Sequence, residues 1–143
     1  MGKSFWLAVL AYLLPTFPLG YFWHLVTFAD HYRALAIYRD DVIIPFGLTS
    51  MAIQAVLFAW AYPRLFPGGA GHWLRDAAGF GIVGGTLAWT FAVLPAAAKY
   101  RMTSVPDYLV LETAFTVVQF LVVSPLIALA YRSRAVQPTP AVA

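Results

Sequence analysis

Four long apolar segments follow one another along this chain, and they constrain its fold more than any other feature. They run from about Phe5 to Thr27, from Val42 to Tyr62, from Ala77 to Ala98 and from Tyr108 to Tyr131. An α-helix rises 1.5 Å per residue, so each segment is long enough to cross a hydrocarbon core about 30 Å thick. Because backbone polar groups in hydrocarbon must bond within the protein, the segments predict four membrane-spanning helices. The first is expected to be a retained helix rather than a secretory signal, because no small-x-small cleavage pattern follows it.

The composition indicates the same fold class. Of the 143 residues, 62% are hydrophobic and 10% are charged, whereas about 25% of the residues of a typical soluble domain are charged. We therefore predict an all-α, integral membrane four-helix bundle over residues 1–131 and a disordered cytoplasmic tail over residues 132–143. The absence of cysteine excludes disulfides and thiolate metal sites. The net charge of +3 is attributed to loop orientation, and no nucleic-acid partner is expected.

The basic residues near the segment ends indicate how the helices cross the membrane. With four spans, both termini lie on the same side as the loop between helices two and three. That side carries Lys3, Arg64, Arg75, Arg132 and Arg134, and the opposite side carries Arg33, Arg39, Lys99 and Arg101. By the positive-inside rule, we expect a multi-pass protein with both termini in the cytoplasm.

The connection between helices one and two is too long for a tight turn. Tyr32, Leu35, Ala36 and Arg39 have the spacing of one helix face. This pattern predicts a short amphipathic helix at the outer membrane interface.

Short matches between the two halves of the chain suggest an internal repeat. The sequence HYR at residues 31–33 has an echo in KYR at residues 99–101. Each half also places an aspartate before its second helix, 12 or 13 positions ahead of a glutamine. These matches indicate either two parallel two-helix repeats or chance similarity between apolar sequences.

Each predicted helix carries a stripe of small or hydrogen-bonding residues, and all neighbours in these stripes are three or four positions apart except the adjacent Gly85 and Thr86. The stripes are Thr16, Gly20, His24, Thr27 and His31; Gly47, Ser50 and Gln54; Gly81, Gly85, Thr86 and Thr90; and Glu112, Thr116 and Gln119. In lipid, such faces turn toward other helices, so we predict a compact bundle with a partly polar interior. Two interpretations stay open: hydrogen bonding that only holds the helices together, or a small cavity or pathway opening at the outer face.

Two ionisable side chains lie inside the predicted spans. Glu112 is about one turn inside helix four and His24 about one turn inside helix one. Ionisable groups within a membrane are functional candidates, although a simple Glu112–Lys99 ion pair is an alternative explanation. The candidates for a ligand or ion pathway are His24, His31, Gln54, Lys99, Glu112, Thr116 and Gln119.

The sequence contains no recognised metal-binding or catalytic motif. His24, His31 and Glu112 carry suitable metal ligands, but H-x6-H is not a known motif, and we predict neither a metal site nor a cofactor. No phosphate-binding loop, nucleophile elbow or H-E-x-x-H is present, so no catalytic residue is assigned. Gly81 and Gly85, one turn apart, are interpreted as a helix-packing face, either within the bundle or between two copies.

Four stretches of the chain also carry a resemblance. LGYFWHLVTFADHYRAL, YRDDVIIPFGLTSMAIQAVLFAWAYPRL, AAAKY and LETAFTVVQFLVV resemble a family of small four-helix bacterial membrane proteins that has no assigned activity. The resemblance implies the fold and a bacterial inner membrane, and it implies no mechanism.

Three functional hypotheses follow from the sequence. The first is a non-enzymatic accessory or scaffold subunit of a membrane complex or homo-oligomer, which binds lipid or another hydrophobic ligand. The second is a small oligomeric transporter or channel with a polar interior around Glu112 and His24. The third is a membrane enzyme acting on a lipid, which rests on the same two residues alone.

Overall fold

A computed structural model describes residues 2–66 and 70–132. Its helices are α1 (Lys3–Phe22), α2 (Ala29–Leu35), α3 (Ile44–Leu65), α4 (Trp73–Ala88), α5 (Leu94–Lys99) and α6 (Val105–Tyr131). A π-helical turn, Trp23–Thr27, extends α1, and a second, Trp89–Val93, joins α4 to α5. A 3-10 turn, Ala70–His72, precedes α4. The tail predicted to be disordered, except its first residue, lies outside the described residues.

The prediction of an all-α four-helix bundle is confirmed. Four helical segments are long and apolar enough to cross a membrane: Lys3–Thr27, Ile44–Leu65, Trp73–Lys99 and Val105–Tyr131. Below, the segment Trp73–Lys99 is called the third span. The predicted short helix between the first two spans is α2, which ends at Ala36 in a left-handed conformation rather than continuing to Arg39.

Large apolar side chains cover the outside of the bundle. Phe91, Phe46 and Val110 each expose more than 70% of their surface, and many Leu, Ile and Val side chains are also exposed. Contact between such an apolar surface and water is unfavourable, whereas lipid acyl chains solvate it. The structure is therefore that of a multi-pass membrane protein, as the hydropathy of the sequence indicates.

The four long helices pack in an open order rather than a closed square. α1 packs along both α3 and α6, and α6 packs along α4. α3, by contrast, makes few contacts with α6 and still fewer with α4. The order across the bundle is therefore α3, α1, α6 and α4, with a gap between α3 and the third span.

One end of the bundle is nonetheless closed by aromatic rings. We call the end that holds Lys3, Leu65 and Tyr131 the termini end, and the opposite end the α2 end. At the termini end, Phe80 of α4 contacts Phe58 and Tyr62 of α3 and Phe66, the residue after α3, with ring centroids 5.3–6.1 Å apart. The Tyr131 hydroxyl donates to the Ala59 carbonyl at 2.5 Å and its ring stacks on Tyr62. These contacts join α3, α4 and α6 at that end.

Glycines set the close approach of α4 to α6. A Cβ atom on Gly84 would lie 2.6 Å from the Phe120 ring, and one on Gly81 would lie 3.0 Å from Ser124 Oγ. Gly85 also faces Phe120, at ordinary contact distance. The packing face predicted from Gly81 and Gly85 therefore lies inside the bundle, where Gly84 is its tightest member.

The two halves of the chain share one further feature and differ in another. Both π-helical turns begin with a tryptophan, Trp23 in the first half and Trp89 in the second. The packing of the halves differs, because α1 lies along α6 whereas α3 is separated from the third span. The repeat accordingly stays a prediction.

The Gly84 contact yields a stability test. We expect Gly84→Ala to lower the free energy of unfolding by about 1–3 kcal/mol, because the new methyl group must displace a buried ring. Thermal unfolding in detergent measures the change. Gly47→Ala is the matched control: it is also a helical glycine, but its Cβ would meet nothing within 4 Å. Equal melting temperatures for the two variants would contradict the tight α4–α6 contact.

Candidate functional site

The gap between α3 and the third span leads into a cavity in the α2 half of the bundle. Its volume is about 840 Å³, and its walls come from α1, α3, α6, the third span and the linker after α2. Most of the lining is apolar. The side chains that bring polar groups to it are Tyr12, Thr16, Tyr21, His24, Tyr38, Arg39, Ser50, Gln54, Glu112, Thr116 and Gln119.

The cavity opens sideways, toward the surroundings of the spans. Leu48 and Leu57 of α3 lie on one side of the opening, and Leu87 and Phe91 of the third span on the other. All four are exposed on the outer surface as well, Phe91 by 76%. In a bilayer this opening faces acyl chains, so a hydrophobic molecule has a direct lateral route inward.

Glu112 is the centre of the polar groups at the α2 end. The Tyr32 hydroxyl donates to Glu112 Oε1 at 2.6 Å, and His24 Nε2 lies 3.3 Å from the same oxygen. Both ionisable side chains are largely enclosed, with 13% of Glu112 and 20% of His24 exposed. No residue in the described part of the chain bonds to Glu112 Oε2. This oxygen is therefore the one left to interact with a ligand.

The backbone of α1 fixes the tautomer of His24. His24 Nδ1 lies 2.9 Å from the Gly20 carbonyl oxygen, which only accepts hydrogen bonds, so Nδ1 carries a hydrogen. A neutral ring would then turn the Nε2 lone pair toward the carboxylate. The contact is attractive only when one further proton is shared between His24 and Glu112. Such a pair carries no net charge, as a low-dielectric site requires.

The short helix α2 brings Tyr32 to this pair. Tyr32 is fully buried, and its ring stacks on Tyr38 with centroids 4.8 Å apart. The loop before α6 holds α2 in place, because Thr103 donates from its backbone N–H to the Leu35 carbonyl and from its hydroxyl to the Ala34 carbonyl. Burial, and then the Glu112 carboxylate, raise the pKa of Tyr32 above that of a free phenol. Burial raises the pKa of Tyr38 as well. Both phenols therefore stay protonated, and Tyr32 stays a donor.

A second polar cluster lies deeper in the cavity and joins three helices. Gln119 Nε2 of α6 donates to the Tyr12 hydroxyl of α1 at 3.1 Å, and that hydroxyl donates to Gln54 Oε1 of α3 at 2.5 Å. Gln54 Nε2 in turn donates to Ser50 Oγ at 3.1 Å. Every link has a donor and an acceptor, so the chain of hydrogen bonds has a single direction. Below it, toward the termini end, the core is mostly apolar, with Ser124 and Asp76 as buried polar side chains.

Most of the residues proposed from the sequence meet at the cavity. His24, Gln54, Glu112, Thr116 and Gln119 all line it. The Thr116 hydroxyl donates to the Glu112 carbonyl at 2.8 Å, which satisfies it within α6. The polar stripes of three helices thus converge, as their spacing indicates.

Two proposed residues lie elsewhere. Lys99 is exposed at the end of α5 and makes no contact with Glu112. His31 is exposed on α2, where its ring contacts Phe28. His24 and His31 would share one face only if a regular helix continued through both. The π-helical turn and the break at Phe28 change the helical register between them. His24, rather than Lys99, is the partner of Glu112.

Sequence reasoning missed three tyrosines of the site. Tyr12 lies four positions before Thr16 on the same face of α1, so the polar stripe on that helix begins one turn earlier than the sequence analysis predicts. The spacing places Tyr32 in a helix at the membrane interface and gives no position for Tyr38; the fold of α2 and of the residues that follow it shows that Tyr32 is buried and that Tyr38 lines the cavity.

A metal centre does not fit this arrangement. Within residues 2–66 and 70–132, no three His, Cys, Asp or Glu side chains gather as metal ligands would. The site instead holds one carboxylate, one imidazole, neutral phenols and two carboxamides.

The chain stands apart in comparisons with known proteins. No family model, no curated protein and no solved structure is significantly similar to it.

The deep cluster gives a second stability test. Tyr12→Phe removes the donor to Gln54 and the acceptor for Gln119, and we expect it to lower the free energy of unfolding by about 1–3 kcal/mol. Tyr21→Phe is the control, since Tyr21 lines the same cavity but 41% of it is exposed. Unfolding by heat or denaturant in detergent compares the two. A Tyr12→Phe protein as stable as wild type would contradict the hydrogen-bond chain.

Proposed function

We propose that this protein is non-enzymatic and binds a hydrophobic or amphiphilic ligand that it takes from the bilayer. We place it in the bacterial inner membrane as a multi-pass protein with both termini in the cytoplasm. We place it as an accessory subunit of a membrane complex or homo-oligomer. The observation that carries the proposal is the laterally open cavity with convergent polar groups.

The size and lining of the cavity support ligand binding. Small-molecule sites are clefts of about 300–1,000 Å³ with mostly apolar walls and a few well-placed polar groups. The cavity here has about 840 Å³, and its polar groups form two clusters, one around Glu112 and one around Tyr12. Interhelical hydrogen bonding alone explains the Tyr12 cluster. It does not explain why Glu112 Oε2 lacks a protein donor among the described residues.

The termini end argues against a passage through one chain. The polar track runs from Glu112 to Gln119 and Gln54, and apolar side chains such as Val123, Ile127 and Ala59 fill the bundle beyond it. An ion or polar solute would have to cross this packed core, where Ser124 and Asp76 are the buried polar side chains among the described residues. A site that is open at one side and closed at one end favours binding over conduction.

The orientation and the compartment rest on charge and on resemblance. Arg64 and Arg75 flank the loop between the second and third spans, and the positive-inside rule places that loop in the cytoplasm. The α2 end, with its site, then faces the outer leaflet. The resemblance to small bacterial membrane proteins supports an inner-membrane location.

Filling the opening tests the proposal. Gly47 lines the cavity and has free space where a side chain would project. We expect Gly47→Leu to weaken binding of the neutral fluorescent probe N-phenyl-1-naphthylamine by about tenfold, because the new side chain occupies the space that the probe needs. Titration of the purified protein in lipid nanodiscs measures this, and native mass spectrometry shows whether a lipid-like molecule co-purifies.

The matched control is Val110→Leu. Val110 lies on the outer surface, 72% exposed, and does not line the cavity, so the probe should bind as it does to wild type. Equal binding to both variants, without a co-purifying molecule, would contradict the proposed function. Solute flux through proteoliposomes that Glu112→Gln abolishes would favour a transporter instead.

A further inference from the structure

We propose that the cavity accepts an amphiphilic cation, an amine or quaternary ammonium on a hydrophobic body, and that this cation displaces the proton held by His24 and Glu112. The inference rests on the proposed function and specifies its ligand class. It is carried by the position of Glu112, the aromatic walls around it and the fixed tautomer of His24.

Glu112 gives the cavity its excess of negative charge. It is the one acidic residue among the described residues that line the cavity. The lining also includes the basic Arg39, but its guanidinium forms two bonds to the Asp41 carboxylate, at 3.0 and 3.2 Å. That pair is neutral as a unit. Once the proton shared by His24 and Glu112 leaves, one negative charge remains in the cavity.

The atoms of Glu112 leave room for a cation. Tyr32 and His24 both approach Oε1, and Oε2 bonds to no other described residue. An ammonium group that contacts Oε2 need not displace the Tyr32 hydrogen bond. Tyr32 then stabilises the carboxylate in both states, with and without the cation.

Aromatic rings line the cavity that holds this carboxylate. Tyr21, Tyr38, Phe91 and Phe115 all border the cavity, and Phe115 lies edge-on to His24 with centroids 4.4 Å apart. Ring faces attract cations, and quaternary ammonium groups are bound in aromatic cages in this way. A carboxylate among aromatic walls, open to acyl chains, therefore fits a cation with a hydrophobic body. An anionic headgroup would be repelled by the same carboxylate.

His24 accounts for the proton. Its Nδ1 hydrogen is held by the Gly20 carbonyl, so the proton that leaves is the one shared at Nε2. When a cation arrives at Glu112, loss of this proton keeps the buried site neutral: one positive charge enters and one leaves. His24 afterwards keeps the hydrogen on Nδ1, and the positive charge of the bound cation offsets the repulsion between the Nε2 lone pair and the carboxylate.

The other groups around the pair do not supply that proton. Tyr12 and Tyr21 of α1, Tyr32 of α2, Tyr38 of the linker and Tyr108 of α6 are phenols, whose ordinary pKa is about 10. Arg39 keeps its charge at all relevant pH values. α3 and the third span contribute no titratable side chain to the lining among the described residues. The exchange is therefore assigned to His24 and Glu112.

The test uses tetraphenylphosphonium as the cation and the full-length protein in nanodiscs. Isothermal titration calorimetry in two buffers of different ionisation enthalpy counts the protons released. We expect release of about one proton per bound cation, and an affinity that rises with pH by at most about tenfold per unit. The sign follows because protons and cation compete for one carboxylate. Binding without proton release, or equally tight at all pH values, would overturn the inference.

Two variants separate the roles of the residues. We expect Glu112→Gln to weaken cation binding at least tenfold and to abolish proton release, since the amide carries no charge. His24→Asn keeps a donor for the Gly20 carbonyl and removes the Nε2 that shares the proton, so the pH at which cation affinity levels off should differ from that of wild type, because Glu112 then holds the proton alone. Asp30→Asn is the control for the carboxyl-to-amide change, because Asp30 is exposed and pairs with Arg33 outside the cavity. Its cation binding should match wild type.

A neutral probe separates failure of this inference from failure of the proposed function. N-phenyl-1-naphthylamine binding to the wild-type protein reports on the cavity without a charge for Glu112 to attract, and the helical circular dichroism spectrum of Glu112→Gln shows whether that variant is folded. If the neutral probe binds in a manner sensitive to Gly47→Leu but the cation does not bind, the ligand class is wrong and the site stands. If neither binds, both proposals fail. Cation binding that survives Glu112→Gln overturns the role of the carboxylate.

Discussion

The ring of Phe80 determines the shape of this bundle, because it joins α4 to α3 at the termini end. Two rings of α3 and the ring of Phe66, which follows α3, pack around it, and Phe120 of α6 lies against it as well. Toward the α2 end, no pair of rings among the described residues joins α3 to the third span, so the two helices leave a wedge of space. The helices are of similar length and hydropathy; the placement of the large aromatic side chains, rather than the spans themselves, decides where the bundle is closed. The cavity follows from this asymmetry.

The same asymmetry explains how a carboxylate is tolerated within a span. A charged side chain in hydrocarbon is costly unless it is paired or hydrated, and Glu112 lies at the α2 end, where the connection after the first span folds back over the bundle. Both Tyr32 and His24 reach this carboxylate, although in the sequence they are separated by Phe28, the residue that follows the first span. In a regular helix, the His24 and Tyr32 side chains would point about 80° apart around the helix axis. The π-helical turn and the break at Phe28 change this angle, so both side chains contact the same oxygen of Glu112.

The sequence predicted the four spans, the convergence of their polar stripes and the importance of Glu112 and His24. These predictions succeed because hydropathy and helical spacing are local properties, and lipid leaves polar side chains only one direction in which to point. The partner of Glu112 was beyond such reasoning. Lys99 is as close to the membrane boundary as His24, and only the packing of α1 along α6 selects His24. The inward turn of Tyr32 and Tyr38 likewise depends on the Thr103 bonds to α2, which join segments that are 69 positions apart.

These bonds also bear on how a ligand reaches Glu112. Entry from the aqueous side at the α2 end would require α2 to move, which breaks two Thr103 bonds, unstacks Tyr32 from Tyr38 and removes the Tyr32 donor from the carboxylate. The carboxylate would then lose a charge-assisted hydrogen bond at the moment when the cation needs a fixed partner. Entry between α3 and the third span breaks none of these contacts, since Gly47 lines that opening and a Cβ atom on it would meet nothing within 4 Å. Because α2 is held in place by these bonds and the opening lies between α3 and the third span, the site favours a ligand that partitions into the bilayer before it binds. The hydrophobic body of such a ligand is as important for its recognition as its charge.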